Sequence, residues 1–203
     1  MEKNDLLKHI AETGYNVGFG AKKHFATYDI VDKAPGFIGF LSTAVGIFGL
    51  YIDDLSGKFL SATFIILGIA GLYISFYDSK KAEYVSVATQ LTQIFNELKR
   101  LYLKTKSALP GELGNIETEL YALEDRYNLA SMSKQIMFSD WYAHYKFFWQ
   151  HQIDWVDEQK NFTFFRDKVP LSFSFSLLMS LLLPIFFCTG LIEKICWLCL
   201  KPY

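Results

Sequence analysis

Two runs without a single charged residue, Gly36 to Ile52 and Phe59 to Tyr77, constrain this chain more than anything else in it. At 1.5 Å per residue, roughly 18 apolar residues make a helix of about 27 Å, close to the ~30 Å hydrocarbon thickness of a bilayer. Each run can span. Only Asp53, Asp54, Leu55, Ser56, Gly57 and Lys58 lie between them, a link long enough to reverse direction and do little else, so the stretch 35–77 reads as a transmembrane helical hairpin. A pair of buried helices in a soluble bundle is the alternative, and runs this long and charge-free argue against it.

Composition narrows the rest. With 203 residues, 51% hydrophobic and 17% aromatic, the chain can bury a sizeable core, yet a net charge of −1 gives it no bulk attraction for nucleic acid or acidic lipid. Any polyanion must bind at a local patch. The three cysteines, Cys188, Cys196 and Cys199, all sit in or beside the last apolar segment. Cys196 and Cys199 form a C-x-x-C, but without a second pair, a nearby His or a preceding strand they read as small hydrophobes at a membrane boundary. Lys3 and Lys8 give the N-terminus positive charge, but no apolar core follows until Gly36 and no small-residue cleavage site follows the first span. A signal peptide is not expected, and the first span should stay in the mature protein.

Along the chain, Leu6, Leu7, Ile10, Gly14, Val17, Ala21 and Phe25 recur at helical steps, which predicts a helix from Leu6 to about Tyr28. Gly14 and Gly18 would let another helix approach closely, as expected of a segment that packs in an assembly. Pro35 sets up entry to the first span. Lys22, Lys23 and Lys33 precede that span and Lys80 and Lys81 follow the second, whereas the turn carries two aspartates and one lysine. By the positive-inside rule both hairpin ends face the cytoplasm. Tyrosines are the only ionisable residues inside the spans, which disfavours a proton relay or ion-coupled transporter. Gly39, Thr43 and Gly46 share a face of the first span, as do Gly68, Gly71 and Ser75 on the second. Packing within the hairpin and contact between subunits both fit that spacing.

Beyond Lys81 the seam Tyr84, Ala88, Leu91, Phe95, Leu98, Tyr102 and Thr105 predicts a long helix, ended by Pro110 and Gly111. The seam Ile116, Leu120, Leu123, Tyr127 and Ala130 predicts its antiparallel partner. A third helix is expected from Ser133 to Lys160, with aromatics on more than one stripe. His144 and His151, seven apart on it, read as interfacial rather than metal-binding. The apolar stretch Leu171 to Ile192 is long enough for a third span. On it Ser172, Ser176 and Ser180 form a polar ridge suited to helix packing or to a pore wall, and Pro184 should kink it. If that kink is a full turn, the segment is re-entrant. Glu193 and Lys194 close it, and Trp197 and Tyr203 suit an interface.

There is no nucleophile motif, phosphate loop or paired acidic motif, so neither an enzyme nor a cofactor is expected; Gly18-Phe19-Gly20 follows no strand. Three features together do resemble a known family. Gly20-Ala-Lys-Lys-His-Phe-Ala-Thr-Tyr-Asp-Ile-Val31 leads into a two-helix hairpin, a helical region follows, and Phe165-Arg-Asp-Lys-Val-Pro170 stands at its end. Over roughly residues 1 to 170 this order resembles the SLATT proteins, bacterial two-transmembrane effectors associated with nucleotidyltransferases and nucleotide-sensing domains. The resemblance implies an effector in the bacterial inner membrane, acting in antiphage defence. Infected cells would stop growing when it breaches that membrane, and a cyclic nucleotide or short single-stranded oligonucleotide from a nucleotidyltransferase encoded nearby would open it or hold it shut. Lys22, Lys23, His24, Arg166 and Lys168 are candidate contacts for such an anion, with Tyr142, Phe147 or Trp149 available for stacking. As ordinary flanks, the same cations would only set topology.

The expected architecture is therefore all-α: a cytoplasmic helix over 1–34, a transmembrane hairpin over 35–77, a cytoplasmic antiparallel helical bundle over 78–169 and a membrane or re-entrant segment over 170–203. It would be a multi-pass membrane protein and a symmetric homo-oligomer, with four copies as the working number. A pore-forming effector and a non-conducting membrane scaffold that recruits a cytoplasmic partner are the two functions this architecture allows.

Overall fold

The computed structural model describes residues 1–52 and 57–188, in two compact units, Met1–Asn161 and Phe162–Tyr203. The described residues are helical and contain no strand. In the first unit these helices are α1 (Lys3–Phe48), α2 (Lys58–Ser75), α3 (Lys81–Ser107), α4 (Leu113–Ala130), α5 (Ser139–Phe148) and α6 (Asp154–Lys160).

The 46-residue α1 is the axis of this unit, and its two halves live in different solvents. From Leu6 to Val31 it is buried against α3, α4, α5 and α6. Beyond Val31 no residue is fully buried, and Phe37 and Phe40 are 67% and 73% exposed. Pro35 was expected to begin a new helix; instead α1 runs straight through it. A proline inside a helix removes one backbone hydrogen bond and costs about 3 kcal/mol. A break where the chain enters lipid would strand several backbone groups at several kcal/mol each, so continuity is the cheaper solution. Pro35 marks a change of environment rather than a change of conformation.

α2 returns antiparallel to the outer half of α1. Only 6% of the most apolar window is buried in α1, and the same holds for the rod that α2 begins. Helices long and apolar enough to cross a bilayer, and left uncovered, are membrane helices rather than core helices. Where the hairpin meets the bundle, Val31 of α1, Ile74 and Tyr77 at the end of α2, Tyr84 of α3 and Ile136 form a buried collar. Lys81 pairs with Asp32 across it at 3.1 Å. A 3-10 turn, Asp78–Lys80, is all that separates α2 from α3.

α3 presents its expected seam, with Tyr84, Ala88, Leu91, Phe95, Leu98 and Tyr102 essentially inaccessible. Packing of α4 beside it follows the expected antiparallel arrangement, with Arg126 bidentate to Glu97 at 2.6 and 3.2 Å and Lys104 on Glu119 at 2.9 Å. The larger share of that seam, however, is covered by α1.

The single helix expected from Ser133 to Lys160 does not form. The chain leaves α4 in an extended conformation at Ser131, has no regular structure through Ile136 and turns at Phe138, whose φ of 67° is left-handed. It is helical only in α5, breaks over residues 149–153, and resumes as α6. A left-handed aromatic residue costs about 1–3 kcal/mol. What offsets it is that the break lets Phe147, Ile153, Trp155 and Val156, which one straight helix would distribute around its circumference, all face the core. Side chains of the neighbouring helices hold this segment in place. Tyr84 Oη donates to Lys134 O at 2.7 Å, and Gln135 accepts from Thr27 Oγ1 at 2.6 Å through its side-chain oxygen.

The second unit holds a short π-turn, Phe164–Lys168, and α7 (Leu171–Cys188). α7 continues through Pro184 as a helix, so the full turn that would have made the segment re-entrant there is absent, and its described side chains are largely exposed. The expectations for Glu193, Lys194, Cys196, Trp197, Cys199 and Tyr203 lie outside the described residues, as does the hairpin link Asp53–Ser56.

Candidate functional site

The basic segment that precedes the first span sits on α1 at the level of α5, and its three members do different things. Lys23 is paired with Asp140 at 2.8 Å. His24 is buried, with Nδ1 2.7 Å from Gly20 O and Nε2 accepting the Met132 N–H at 3.3 Å. That pattern places its proton on Nδ1 and leaves no ring nitrogen for a ligand. Burial, with Lys23 adding to it, lowers its pKa, so at neutral pH it carries no charge for an anion. It is a strut that ties the segment after α4 to α1.

Lys22 is the exception. It is half-buried, its ammonium lies 5.9 Å from the Phe25 ring centre, and no carboxylate pairs with it among the described residues. Burial, and then the nearby Lys146, lower its pKa. Lys146 itself is held by Asp29 at 2.6 Å, and the same carboxylate takes Lys33 at 2.6 Å. Burial alone would raise Asp29, but its two ammonium partners keep its carboxyl below the usual range. On its other side Lys22 influences His151, which lies in the break between α5 and α6. The His151 ring centre lies 4.7 Å from that of Phe95 with the rings tilted, and its buried Nδ1 has no hydrogen-bond partner among the described residues. Burial, with Lys22 and Lys99 adding to it, pushes the His151 imidazole down to about 4. A desolvated ammonium beside further cations and an unsatisfied imidazole nitrogen is an arrangement that gains by admitting an anion.

Sequence reasoning missed Lys146 and His151 as groups acting with Lys22. α5 brings the first to it, and the break after α5 brings the second. By contrast Arg126, which lines an open polar groove of about 500 Å3 on α3 and α4 with Gln90 and Gln93, is already neutralised by Glu97. Of the expected stacking aromatics, Phe147 is fully buried, so it offers no free face. Tyr142 lies under Lys146 at 4.6 Å, and Trp149 is 63% exposed. In the second unit Arg166 Nε is 2.8 Å from Asp167, which also accepts the Thr163 N–H at 2.8 Å. Lys168 follows on the same turn.

In the membrane half, the small-residue faces are open. A Cβ added at Gly39, Gly46, Gly68 or Gly71 would meet nothing within 4 Å. Thr43 and Ser75 satisfy their hydroxyls on their own helices, donating to Gly39 O at 2.9 Å and Leu72 O at 2.7 Å. On α7 the exposed Ser172, Ser176 and Ser180 share one side, and Ser180 donates to Leu177 O at 2.8 Å. The glycines that the spans share are thus not used to close the hairpin on itself.

Residues 1–177 match the family model for the SMODS and SLOG-associating 2TM effector domain 6. The chain belongs to this family. No curated protein and no solved structure matches it. As a SLATT domain it is a membrane effector of a defence system, and its two transmembrane helices are the outer half of α1 together with α2. Within the SLATT domain the matched region takes in both the open hairpin and the Lys22 cluster, and it ends inside α7.

Proposed function

We propose that this SLATT protein is a ligand-controlled pore-forming effector, which assembles as a homo-oligomer in the bacterial inner membrane and breaches it to stop growth of infected cells. The observation that carries the reading is the pair of vacant small-residue faces. A single hairpin cannot enclose water, so a conducting path needs several copies, and glycines left open by their own chain are where helices of other copies can approach. Both ends of the hairpin and the bundle lie on the cytoplasmic side, as the flanking lysines favour.

The controlling signal is a nucleotide or short oligonucleotide made by a partner nucleotidyltransferase, in keeping with the SMODS association in the family's name. Its phosphate is received by Lys22, with Lys146 adding charge on one side and the buried imidazole of His151 on the other. Because α1 runs unbroken from that cluster into the membrane, a ligand that moves α1 at Lys22 moves the first span with it. Dye-release measurements on liposomes carrying the purified full-length chain, with and without the product of its neighbouring nucleotidyltransferase, test this. Release that changes at least tenfold with the product, lost in Lys22→Gln and suppressed by Gly68→Leu, is the expected outcome. Bilayers silent under every condition would leave a non-conducting scaffold instead.

A further inference from the structure

Where the hairpin joins the bundle, a cavity of about 390 Å3 opens sideways. Its walls come from Ile30 of α1, Ile66, Ile69 and Tyr73 of α2, and Met137 and Phe138 of the segment after α4. These are hydrocarbon surfaces. The one hydroxyl among them, Tyr73 Oη, already accepts the Met137 N–H at 3.3 Å and lies 3.3 Å from Tyr77 Oη. A soluble ligand would find no polar group to orient it.

We propose that this cavity receives an acyl chain of a membrane phospholipid, with Lys134 reaching its phosphate. Three observations converge on lipid. First, the cavity is continuous with the bilayer-facing surface, since Ile66 and Ile69 are 66% and 61% exposed on the same span. Second, Met137 and Phe138 are 61% and 55% exposed, an apolar pair brought against the span, and the left-handed backbone at Phe138 is what turns the chain there. Third, a cation stands beyond the apolar walls: Tyr73 of the lining lies 3.3 Å from the buried Tyr77, and the exposed Lys134 holds its ammonium 5.0 Å over the Tyr77 ring.

A second copy of the chain is the competing occupant, and the geometry of α2 places it elsewhere. At 100° per residue, the Gly68, Gly71 and Ser75 side lies roughly 160° around the helix from the Ile66, Ile69 and Tyr73 side. The branched side chains that wall the cavity hold a neighbouring backbone away, whereas the glycines admit one. Lipid at the cavity and protein at the glycines therefore do not compete. A wedge of lipid between the spans and the segment after α4 would make the hairpin's position sensitive to the composition of the bilayer.

The test uses the full chain in nanodiscs of phosphatidylethanolamine and phosphatidylglycerol containing a phospholipid with a photoreactive diazirine halfway along one acyl chain. After illumination, adducts are mapped by peptide mass spectrometry. Adducts at Ile69 to Tyr73 and at Met137 and Phe138 should exceed those at Phe59 to Phe64 at least fivefold. Ala70→Trp, which fills the cavity, should remove that excess and leave labelling near Phe59 unchanged. Ile69→Trp fills the same space from the other edge should the first variant fail to fold. Lys134→Gln should weaken labelling by the phospholipid probe and not by a diacylglycerol carrying the same chain. Even labelling along α2 in the unaltered protein, an excess that survives both filled variants, or chain-to-chain adducts at Met137 in place of lipid would overturn the proposal.

Discussion

Gly14 and Gly18 in the bundle and Gly39, Gly46, Gly68 and Gly71 in the hairpin are the same residue put to opposite uses. A Cβ at Gly14 would fall on the Trp155 ring, and one at Gly18 would stand 2.7 Å from Phe95 and 2.9 Å from Phe147. These two glycines are sockets, and the aromatic rings of α3, α5 and α6 fill them. The four in the hairpin are vacant. In water a helix face left open loses hydrophobic stabilisation, so the chain closes the face itself with large aromatics. In lipid there is no such penalty, and a small-residue face stays open until another helix offers close packing.

This contrast breaks first at Trp155. Trp155→Ala should empty the Gly14 socket and destabilise the bundle by about 3–5 kcal/mol, measured by thermal or chemical unfolding of the detergent-solubilised chain. A loss below 1 kcal/mol would mean that the socket is not a core contact. Next comes acid sensitivity. The folded His151 pKa of about 4 lies below its unfolded value near 6.5, so the native state binds fewer protons than the unfolded one. The stability this represents is fully present above about pH 6.5 and is lost progressively as the pH falls toward 4. His24, also lowered, works in the same direction. His151→Gln should flatten the melting temperature against pH over that window; an unchanged slope would assign it to other groups.

A smaller effect is expected at Gly18→Val. It overpacks the second socket against two rings held from opposite sides, at a cost of about 1–3 kcal/mol in the same unfolding measurement. Smallest of all is Gly68→Ala, which should leave the stability of a single chain unchanged or raise it by less than about 1 kcal/mol, through helix propensity alone. If Gly68→Ala destabilised the isolated chain as much as Gly18→Val does, the hairpin glycines would not be vacant, and the contrast would fail.

Much of the fold was legible beforehand, and the legible parts share a reason. The spans are declared by length and by the absence of charge, which belong to a run of residues whatever surrounds it. The seams of α3 and α4 are declared by periodicity, and Pro110 with Gly111 ends the first of them. Periodicity identifies a face without saying what covers it. The glycines of α1 were rightly expected to admit a close neighbour, but the neighbours are side chains of the same polypeptide more than seventy residues away rather than a helix of another subunit.

The site divides in the same way. Lys22, Lys23 and His24 are three consecutive polar residues at a membrane flank, and nothing in their order separates an ion-paired lysine, a buried strut and a desolvated ammonium. That separation comes from Asp140, from the Met132 backbone and from Lys146, all of which arrive through the segment after α4. By itself, the sequence determined that the chain enters a membrane twice and carries a helical bundle at the base of the hairpin, because the solvent preference of a residue run is additive along the chain. Tertiary structure alone decided that α1 is unbroken, that the third helix divides, and which of Lys22 and Lys23 has a carboxylate partner among the described residues. Those outcomes depend on pairwise contacts between distant segments, and no local pattern encodes them.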